Sequence, residues 1–404
     1  MSELTLPERN LSELTQTLAE LVAINSVNPE WGGPGEVDVA RYVVSFFRAV
    51  GLECELWDVL PNRPNVYVKL PGRDSSRRIV LEAHMDTVGV GSMTIPPFEP
   101  VISRGILFGR GSCDVKAGLA AMMHAIRDVH LSKITPPCDV WLAAVVDEEH
   151  LFRGVSSLID RLSSETTSGV TPPGIARIKK VETRTVAVVA EPTDCRIVTA
   201  NKGVLRWRII TTGKSAHSSK PELGRNAITD MMQVIAALQA DSLKLQQRRH
   251  SLVGPPTLCI SMIEGGSQIN FVPDRCQISL DRRLLPDESA SKVFEHYRNL
   301  VSKIPGIECQ VQPPILSDDA METREDEPVV VSAKQVAQSV GISCESTGVP
   351  FGCDATKLSR AGVPGIIFGP GNIDQAHADV EFVELDQVEL ARRFYRTFIM
   401  ESFA

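Results

Sequence analysis

Five histidine and acidic side chains have the types and positions expected of ligands in a two-metal site. They are His84, Asp114, Glu149, Glu191 and His377. Each follows a short apolar run, lies a few residues beyond one, or stands where a run gives way to a helix. Short apolar runs bounded by turn residues are typical of buried parallel strands. Because open α/β sheets bind ligands beyond the carboxyl ends of their strands, the sequence predicts that these side chains meet at that edge.

His84 and Asp86 are two residues apart at the end of one apolar run. On a strand, both side chains face the same side of the sheet. A lone histidine beside an apolar strand is more often packed or hydrogen-bonded than bound to metal. The Asp86 carboxylate favours ligation, because it can accept from the ring nitrogen that the metal does not use. A turn or cap role for Asp86 is the alternative.

Asp114 lies in the glycine-rich segment Gly-Arg-Gly-Ser-Cys-Asp that begins at Gly109. Taken alone, Asp114 is a helix N-cap before the helix predicted at 116–129. With His84 nearby in the sequence, Asp114 becomes a candidate bridging ligand, because a carboxylate offers two oxygens to two cations. The glycines let the loop pass close to the metals.

Two adjacent carboxylates, Glu148 and Glu149, follow the apolar run 140–146. Neighbouring carboxylates repel each other unless a cation is near. Successive side chains at a strand end point in different directions, so one can bind metal while the other faces substrate. We assign Glu149 to the metal and Glu148 to general acid–base chemistry, with Asp147 as the rival for either role.

Glu191 and His377 are ambiguous when each is considered by itself. Glu191 is equally well explained as a solvated strand end, and His377 as a surface-loop histidine. The joint pattern is far more specific than either residue, since all five candidate ligands take equivalent positions on the predicted sheet.

Composition excludes several classes of protein. With 42 basic against 50 acidic residues, the net charge of −8 disfavours nonspecific nucleic-acid binding. Nine scattered cysteines without a Cys-x-x-Cys pair indicate reduced thiols, and we expect a cytoplasmic protein. The polar N-terminus lacks the apolar core of a signal peptide, and no apolar stretch reaches the roughly 20 residues that span a bilayer. We expect neither nucleic-acid nor membrane partners.

The order of predicted elements divides the 404 residues into three parts. Residues 1–202 alternate helical and strand patterns, as in an α/β domain. Residues 203–313 have the order βαββαβ, which is that of a ferredoxin-like α+β domain. Residues 314–404 return to α/β alternation. The simplest interpretation is one catalytic domain interrupted by an inserted domain, with a surface loop at 163–182.

Together these motifs resemble the M20 metallopeptidase family. The matching residues are His84-x-Asp86, Gly109-Arg110-Gly111-x-x-Asp114-x-Lys116-x-Gly118, Glu148-Glu149, Glu191-Pro192 and Gly369-Pro370-Gly371 with Ala376-His377. They cover nearly the whole chain in the family's order. The resemblance implies a mixed-sheet, dizinc exopeptidase-like catalytic domain with an inserted lid domain through which the chain forms a homodimer.

The resemblance also implies roles for individual residues. One zinc ion would bind His84, Asp114 and Glu191, and the other would bind His377, Asp114 and Glu149. Co²⁺ or Mn²⁺ are possible substitutes. Glu148 would be the catalytic base, and Asp86 would support the ligands without binding metal.

The inserted domain resembles the family's lid at further positions. His217, in Lys-Ser-Ala-His-Ser-Ser, resembles a histidine that reaches the partner subunit's active site and stabilises the oxyanion. Asn270 and Arg283 resemble contacts to the substrate carboxylate, for which the bidentate guanidinium of arginine is suited. Arg283 as a strand salt bridge is the alternative. Lys202 and Gly352 are further candidates for the cleft.

The expected function is zinc-dependent hydrolysis of the amide of a small N-acyl amino acid. The turn after Glu191 and the chain length look most like the branch of acetylornithine deacetylase and succinyl-diaminopimelate desuccinylase. A metallo-carboxypeptidase or dipeptidase acting on a dipeptide-like substrate is the nearest alternative. A noncatalytic metal-binding protein is the alternative from another class, although all five ligands and the base are retained. A two-metal phosphatase is disfavoured because no phosphate-binding glycine-rich loop is evident.

Overall fold

The computed structural model describes residues 11–164 and 184–402. These residues form two compact units. The first comprises the described residues of Met1–Thr199, Thr323–Ser346 and Cys353–Ala404, and the second comprises Ala200–Glu322 and Thr347–Gly352. The predicted insert, 203–313, lies within the second unit.

Nine α-helices lie in the described residues: α1 (Glu13–Ala23), α2 (Val37–Arg48), α3 (Lys116–Ser132), α4 (Arg153–Ser164), α5 (Ala227–Leu245), α6 (Ala290–Ser302), α7 (Pro328–Val340), α8 (Asp354–Arg360) and α9 (Leu385–Glu401). None of these described helices is long and apolar enough to cross a membrane. The surface loop predicted at 163–182 lies outside the described residues, except for Ser163 and Ser164, which end α4.

The described strands are β1 (Cys54–Leu60), β2 (Arg63–Leu70), β3 (Asp74–His84), β4 (Val101–Ser103), β5 (Ile106–Phe108), β6 (Cys138–Val145), β7 (Arg184–Val189), β8 (Val198–Asn201), β9 (Gly203–Thr212), β10 (Thr257–Gly265), β11 (Arg275–Leu284), β12 (Glu308–Val311), β13 (Leu316–Asp318), β14 (Met321–Glu322), β15 (Thr347–Val349), β16 (Gly365–Ile367) and β17 (Phe382–Glu384).

A mixed sheet forms the centre of the first unit, with the strand order β1-β2-β6-β3-β7-β16-β8. Strand β3 pairs in parallel with β6 and β7, and β16 pairs in parallel with β7. The β1–β2, β2–β6 and β16–β8 pairs are antiparallel. The carboxyl ends of β3, β6, β7 and β16 therefore lie along one edge, and the predicted mixed α/β fold is confirmed.

The alternation of side chains along β3 separates two layers of helices. Ile79 and Leu81 belong to the apolar core that includes α1, α2, α3, α7 and α9. Glu82 faces the other side, where it interacts with Asp354 of α8. Helix α8 also packs against α4. Because both faces are covered, the central strands are largely apolar on both sides, as the sequence indicated, with Glu82 as a buried exception on β3.

The register of the central strands brings together the strand ends that precede or carry His84, Glu149 and Glu191. His84 pairs with Val145 at the end of β6, so Glu149 lies four residues beyond that level. Glu82 pairs with Val189 at the end of β7, so Glu191 lies two residues beyond it. This register is the main structural reason why residues far apart in sequence converge.

A small antiparallel sheet in the first unit has the order β17-β5-β4. It pairs Phe382 with Phe108 and Glu384 with Ile106. The pairing joins the segment that follows His377 to the segment that precedes Asp114.

The second unit contains a five-stranded antiparallel sheet with the order β10-β11-β9-β12, and β13 also pairs with β9. Helices α5 and α6 cover one face around Trp207 and Leu280. The side-chain oxygen of Asn226 accepts from Ile228 N and Thr229 N at the start of α5, a cap worth about 1 kcal/mol. The elements β9-α5-β10-β11-α6-β12 follow the predicted βαββαβ order. The lid and dimerisation roles remain predictions.

The turn between β1 and β2 is tight, because Arg63 and Pro64 already belong to β2. The Arg63 guanidinium is buried, with Nη2 2.5 Å from Glu36 Oε1 and 3.1 Å from Asp147 Oδ1. These ion pairs hold the Arg63 side chain in the buried interior.

Candidate active site

His84 ends β3 and is 2 % exposed. Its Nε2 lies 3.0 Å from Asp114 Oδ1, and its Nδ1 lies 3.0 Å from the backbone oxygen of Asp86. The Asp86 carboxylate is 3.6 Å from Nδ1. The carbonyl of Asp86, rather than the predicted carboxylate, is therefore the hydrogen-bond partner that orients the ring.

The Asp86 carboxylate is instead turned toward the segment after β6. It accepts from the backbone N–H of Glu148 at 3.1 Å and of Glu149 at 3.2 Å. It also accepts from the side-chain amide of Asn28 at 2.8 Å. Asp86 therefore fixes the backbone that carries both glutamates, a function that the sequence pattern did not indicate.

Asp114 lies between two histidines that are far apart in the sequence. His84 Nε2 is 3.0 Å from Oδ1, and His377 Nε2 is 3.3 Å from Oδ2. His377 Nε2 also lies 3.1 Å from Glu149 Oε1. One carboxylate thus presents each of its oxygens to a different candidate ligand, which is the arrangement that a bridging carboxylate requires.

Glu148 and Glu149 follow β6, and Glu148 is 8 % exposed. Asp147, the rival for their roles, has its carboxylate in ion pairs with Arg63 at 3.1 Å and Arg153 at 2.5 Å. Burial raises the pKa of Asp147, but hydrogen bonds from Arg153 and Asn28 outweigh it and lower the pKa overall. The structure therefore engages Asp147 in a buried ionic network.

Glu191 lies two residues beyond β7 and is 4 % exposed. Helix α3 approaches this strand end closely at Gly118, where an added Cβ would lie 2.7 Å from the Cβ of Ala190. Glycine is needed at 118 because a side chain there would force apart the helix that follows Asp114 and the strand that precedes Glu191.

The acidic side chains at this edge have strongly perturbed ionisation. Burial is the largest cause of the raised pKa of Glu148, Glu149 and Glu191, and neighbouring carboxylates, including Asp114, add to it. Burial also raises the pKa of Asp114, but hydrogen bonds with His377 and His84 outweigh it and hold the pKa well below its usual range.

The two histidines also have raised pKa values, but from a different cause. Burial lowers the pKa of His377, but hydrogen bonds with Asp114 and Glu149 outweigh it and raise the pKa to about 11. The pKa of His84 is also raised, for a similar reason. Such shifts mark a strongly negative site that favours cations, whether protons or metal ions.

The donor atoms fit a metal ion. One ligand atom each from His84, Asp114 and Glu149 lies within 4.8 Å of the other two. Histidine nitrogen and carboxylate oxygen are zinc ligands, and the same donors accept cobalt or manganese. A divalent cation at this position would offset the repulsion among the buried carboxylates.

Two buried supporting residues were missed by the sequence reasoning. Asn28 donates to Asp86 Oδ2 at 2.8 Å and to Asp147 Oδ1 at 3.0 Å. Glu381 accepts from the backbone N–H groups of Cys113 and Asp114 and pairs with Arg110. The available signal was that Arg110 belongs to the motif already singled out for Asp114, and that Glu381 lies four residues beyond His377.

In the second unit, the segments of His217 and Asn270 lie side by side. His217 forms an isolated bridge with Phe271, and Ser218 N donates to the backbone oxygen of Asn270 at 2.9 Å. Both predicted residues are exposed, and the His217 ring is held by Ser219 through a 2.8 Å hydrogen bond at Nδ1. Their substrate contacts remain predictions.

Arg283 has the ion pair that was its alternative interpretation. Its Nε lies 2.8 Å from Asp281 Oδ1, two residues earlier on β11. Lys202 is 6 % exposed, and its Nζ donates to the backbone oxygen of Pro255 at 2.6 Å. A Cβ on Gly352 would lie 3.6 Å from the backbone oxygen of Lys202, so those two residues are neighbours. Their predicted role in a cleft is untested.

The chain has related sequences along nearly its whole length. It is 26% identical to an N-formyl-4-amino-5-aminomethyl-2-methylpyrimidine deformylase from Halalkalibacterium halodurans, covering 98% of this chain and 95% of that protein. It is also 26% identical to a probable succinyl-diaminopimelate desuccinylase from Staphylococcus aureus, covering 93% of each.

The fold has solved counterparts as well. A tripeptidase from Staphylococcus aureus superposes with a TM-score of 0.77 at 22% identity, covering 96% of this chain and 97% of that one. Residues 80–401 match the family model for peptidase family M20/M25/M40, which includes all five predicted ligands. The resemblance seen in the motifs is confirmed, and the chain is a hydrolase that belongs to peptidase family M20/M25/M40.

Proposed function

We propose that this hydrolase cleaves the amide bond of a small N-acyl amino acid with the aid of two zinc ions. The observation that carries the proposal is the position of Asp114, whose oxygens face His84 and His377 at 3.0 and 3.3 Å. A single carboxylate shared by two histidines suits two ions that share a ligand.

His84, Asp114 and Glu191 would hold one ion, and Asp114, Glu149 and His377 would hold the other. This division is supported by the proximity of Glu149 to His377, at 3.1 Å. When bound, zinc supplies Lewis-acid chemistry: it lowers the pKa of water towards neutrality and polarises a carbonyl oxygen.

Glu148 would act as the general base. It accepts a proton from the attacking water and delivers a proton to the leaving amine. The backbone N–H of Glu148 donates to the Asp86 carboxylate, which holds the backbone at Glu148 in place. Asp86 therefore acts as a positioning residue, since its carboxylate contacts the peptide groups of the glutamates.

Residues of the second unit complete the proposal. His217 would stabilise the tetrahedral oxyanion, and Asn270 and Arg283 would bind the substrate carboxylate. For Arg283, this requires exchange of its partner Asp281 for the substrate, because the guanidinium is already paired with that aspartate. Lys202 and Gly352 are proposed to line the same cleft.

The substrate class is supported by the names of the relatives. The two similar sequences are named a deformylase and a desuccinylase, so each is named for removal of an acyl group. A peptidase activity is the second candidate, because the similar solved structure is named a tripeptidase. The sequence resemblance suggested a dipeptidase or carboxypeptidase as its type.

A homodimer formed through the second unit is also proposed. In the described residues, β10 pairs only with β11, so its other edge is open. Met262 and Ile263 on β10 are more than half exposed, as are Met232 and Leu243 on α5. Exposed apolar side chains beside an open strand edge are typical of a surface that a second copy covers.

The test combines metal analysis with a substrate panel. N-acetyl and N-succinyl amino acids and dipeptides would be compared by the amine that they release. We expect the highest kcat/KM on an N-acyl amino acid, with zinc bound to the protein. Preference for a dipeptide would favour the second candidate, and hydrolysis of none of the panel would contradict both.

A further inference from the structure

The Glu381 carboxylate is buried against the backbone of the loop that carries Asp114. Its Oε1 accepts from Cys113 N at 3.0 Å and from Asp114 N at 3.0 Å. Its Oε2 lies 2.6 Å from Nη1 of Arg110. Glu381 is 0% and Arg110 1% exposed, so both charges are almost fully removed from water.

Glu381 also belongs to the segment that carries His377, four residues earlier. Its backbone oxygen accepts from Gly109 N at 3.0 Å. The next residue, Phe382, starts β17 and pairs with Phe108 of β5. Strand pairing and side-chain hydrogen bonds therefore fix the His377 segment against the loop from Gly109 to Asp114.

The ionic pair restrains the geometry of this contact. Arg110 binds Glu381 through Nη1 and the backbone oxygen of Gly89 through Nη2, at 3.2 Å. A buried pair such as this contributes little net stability, but removal of one partner leaves an uncompensated charge. A carboxylate that accepts two consecutive peptide N–H groups also restricts how those peptides can rotate.

We propose that Glu381 is a positioning residue for the metal centre: it sets the backbone of Asp114 and thereby aims the two oxygens at His84 and His377. The inference rests on the proposed metal site, and Glu381 itself is not a ligand. The ion held by Asp114, Glu149 and His377 depends on it most, because Glu381 anchors both the Asp114 loop and the His377 segment.

The other ion depends on Glu381 less. His84 is the last residue of β3, and Glu191 follows β7, so the sheet itself holds these two ligands. Only Asp114 links that ion to Glu381. Loss of Glu381 is therefore expected to lower the zinc affinity at Asp114, Glu149 and His377 more than the affinity at the other position.

The experiment measures zinc affinity by chelator competition on folded, zinc-free protein, with kcat and KM measured at saturating zinc. Glu381→Ala is expected to weaken one of the two ions by about 10–100-fold, the usual effect of removing a group that supports a ligand. Glu381→Gln is expected to weaken it too, because the new amide N–H₂ meets the Nη1 donor of Arg110.

A double variant tests the role of the carboxyl oxygen. Arg110→Met with Glu381→Gln removes the donor conflict, so the amide oxygen can again accept from Cys113 and Asp114. The double variant is expected to bind zinc more tightly than Glu381→Gln alone. A second double variant, Arg110→Met with Glu381→Leu, removes both charges but supplies no acceptor, so it is expected to bind zinc as weakly as Glu381→Ala. Recovery of zinc affinity in this variant too would mean that Glu381 serves only to neutralise Arg110.

The control is Asp128→Asn near the end of α3, which weakens one ion pair of Arg392 on α9 and leaves Glu389 as the other partner of that arginine. It is expected to lower thermal stability without changing zinc affinity. If Glu381→Ala and Glu381→Gln both keep wild-type zinc affinity, or lower only thermal stability as the control does, the inference is wrong. If the wild-type chain binds no zinc, the proposed function fails and the inference falls with it.

Discussion

Asp86→Ala is the perturbation that the site geometry defines most completely. The carboxylate accepts three hydrogen bonds, from the backbone N–H of Glu148 and Glu149 and from the amide of Asn28. Alanine removes both acceptor oxygens, and with them all three hydrogen bonds, at a position that is 1 % exposed. The substitution therefore acts on the segment that carries the proposed base and one proposed ligand.

The magnitude follows from the donors left without partners. Asn28 keeps a second acceptor, Asp147 Oδ1 at 3.0 Å, so its loss is partly compensated. The two backbone N–H groups of Glu148 and Glu149 are the main cost. An unsatisfied buried donor costs roughly 1–3 kcal/mol, which gives about 2–6 kcal/mol for the pair.

Asp86→Asn should fall between alanine and the wild type. One oxygen is kept and still accepts a hydrogen bond, while the new amide opposes one of the N–H donors. About half of the alanine cost, roughly 1–3 kcal/mol, is expected. In Asp86→Ala, the hydrogen bonds that fix the backbone at Glu148 and Glu149 are lost, so kcat of this variant should fall about 10–100-fold.

The assay is amide hydrogen exchange, read on a peptide that contains Glu148 and Glu149, together with kcat. The local loss predicts at least about tenfold faster exchange of these two amides, since 1.4 kcal/mol corresponds to a factor of ten. The matched control is Asp139→Ala, which removes the acceptor of Gly72 N at 2.9 Å elsewhere in the first unit. Wild-type exchange at 148–149 and wild-type kcat in Asp86→Ala would refute the reasoning.

The remaining predictions concern catalysis and assembly. Glu148→Gln should keep the zinc content and lower kcat about 10²–10⁴-fold, as expected on loss of a general base; near-normal kcat would make the assignment wrong. His217→Ala should lower kcat without loss of zinc, and loss of zinc would contradict its placement. Light scattering should give twice the chain mass, and mixing the Glu148→Gln and His217→Ala proteins should restore activity if His217 serves the partner subunit. Absence of recovery in mixed dimers would place His217 in its own subunit's chemistry.

The position of the candidate ligands at strand ends was predictable because local patterns determine it. Apolar runs define β3, β6 and β7, and the polar residues His84, Glu149 and Glu191 stand at or just beyond their ends. Parallel pairing then brings those ends to one edge. These strands and the residues at their ends could be predicted without knowing which distant residues contact them.

The supporting residues were not predictable in the same way. Arg110 and Glu381 are separated by 271 positions, and neither has a neighbour in sequence that identifies the other. Asp86 lies two residues beyond the end of β3, and its carboxylate accepts from the peptide N–H groups of Glu148 and Glu149, which arrive from a different strand. The burial of Arg63 was not predictable either, because its partners, Glu36 and Asp147, are brought to it only by the fold.

The most direct test of the central claim is zinc content measured on the same preparation that is assayed with N-acetyl and N-succinyl amino acids. We expect two zinc ions per chain and amine release from an N-acyl amino acid. Turnover should be lost on chelation and should recover when zinc is returned. Undiminished hydrolysis by fully zinc-depleted protein would contradict it, as would a zinc-loaded chain that releases amine from no N-acyl amino acid.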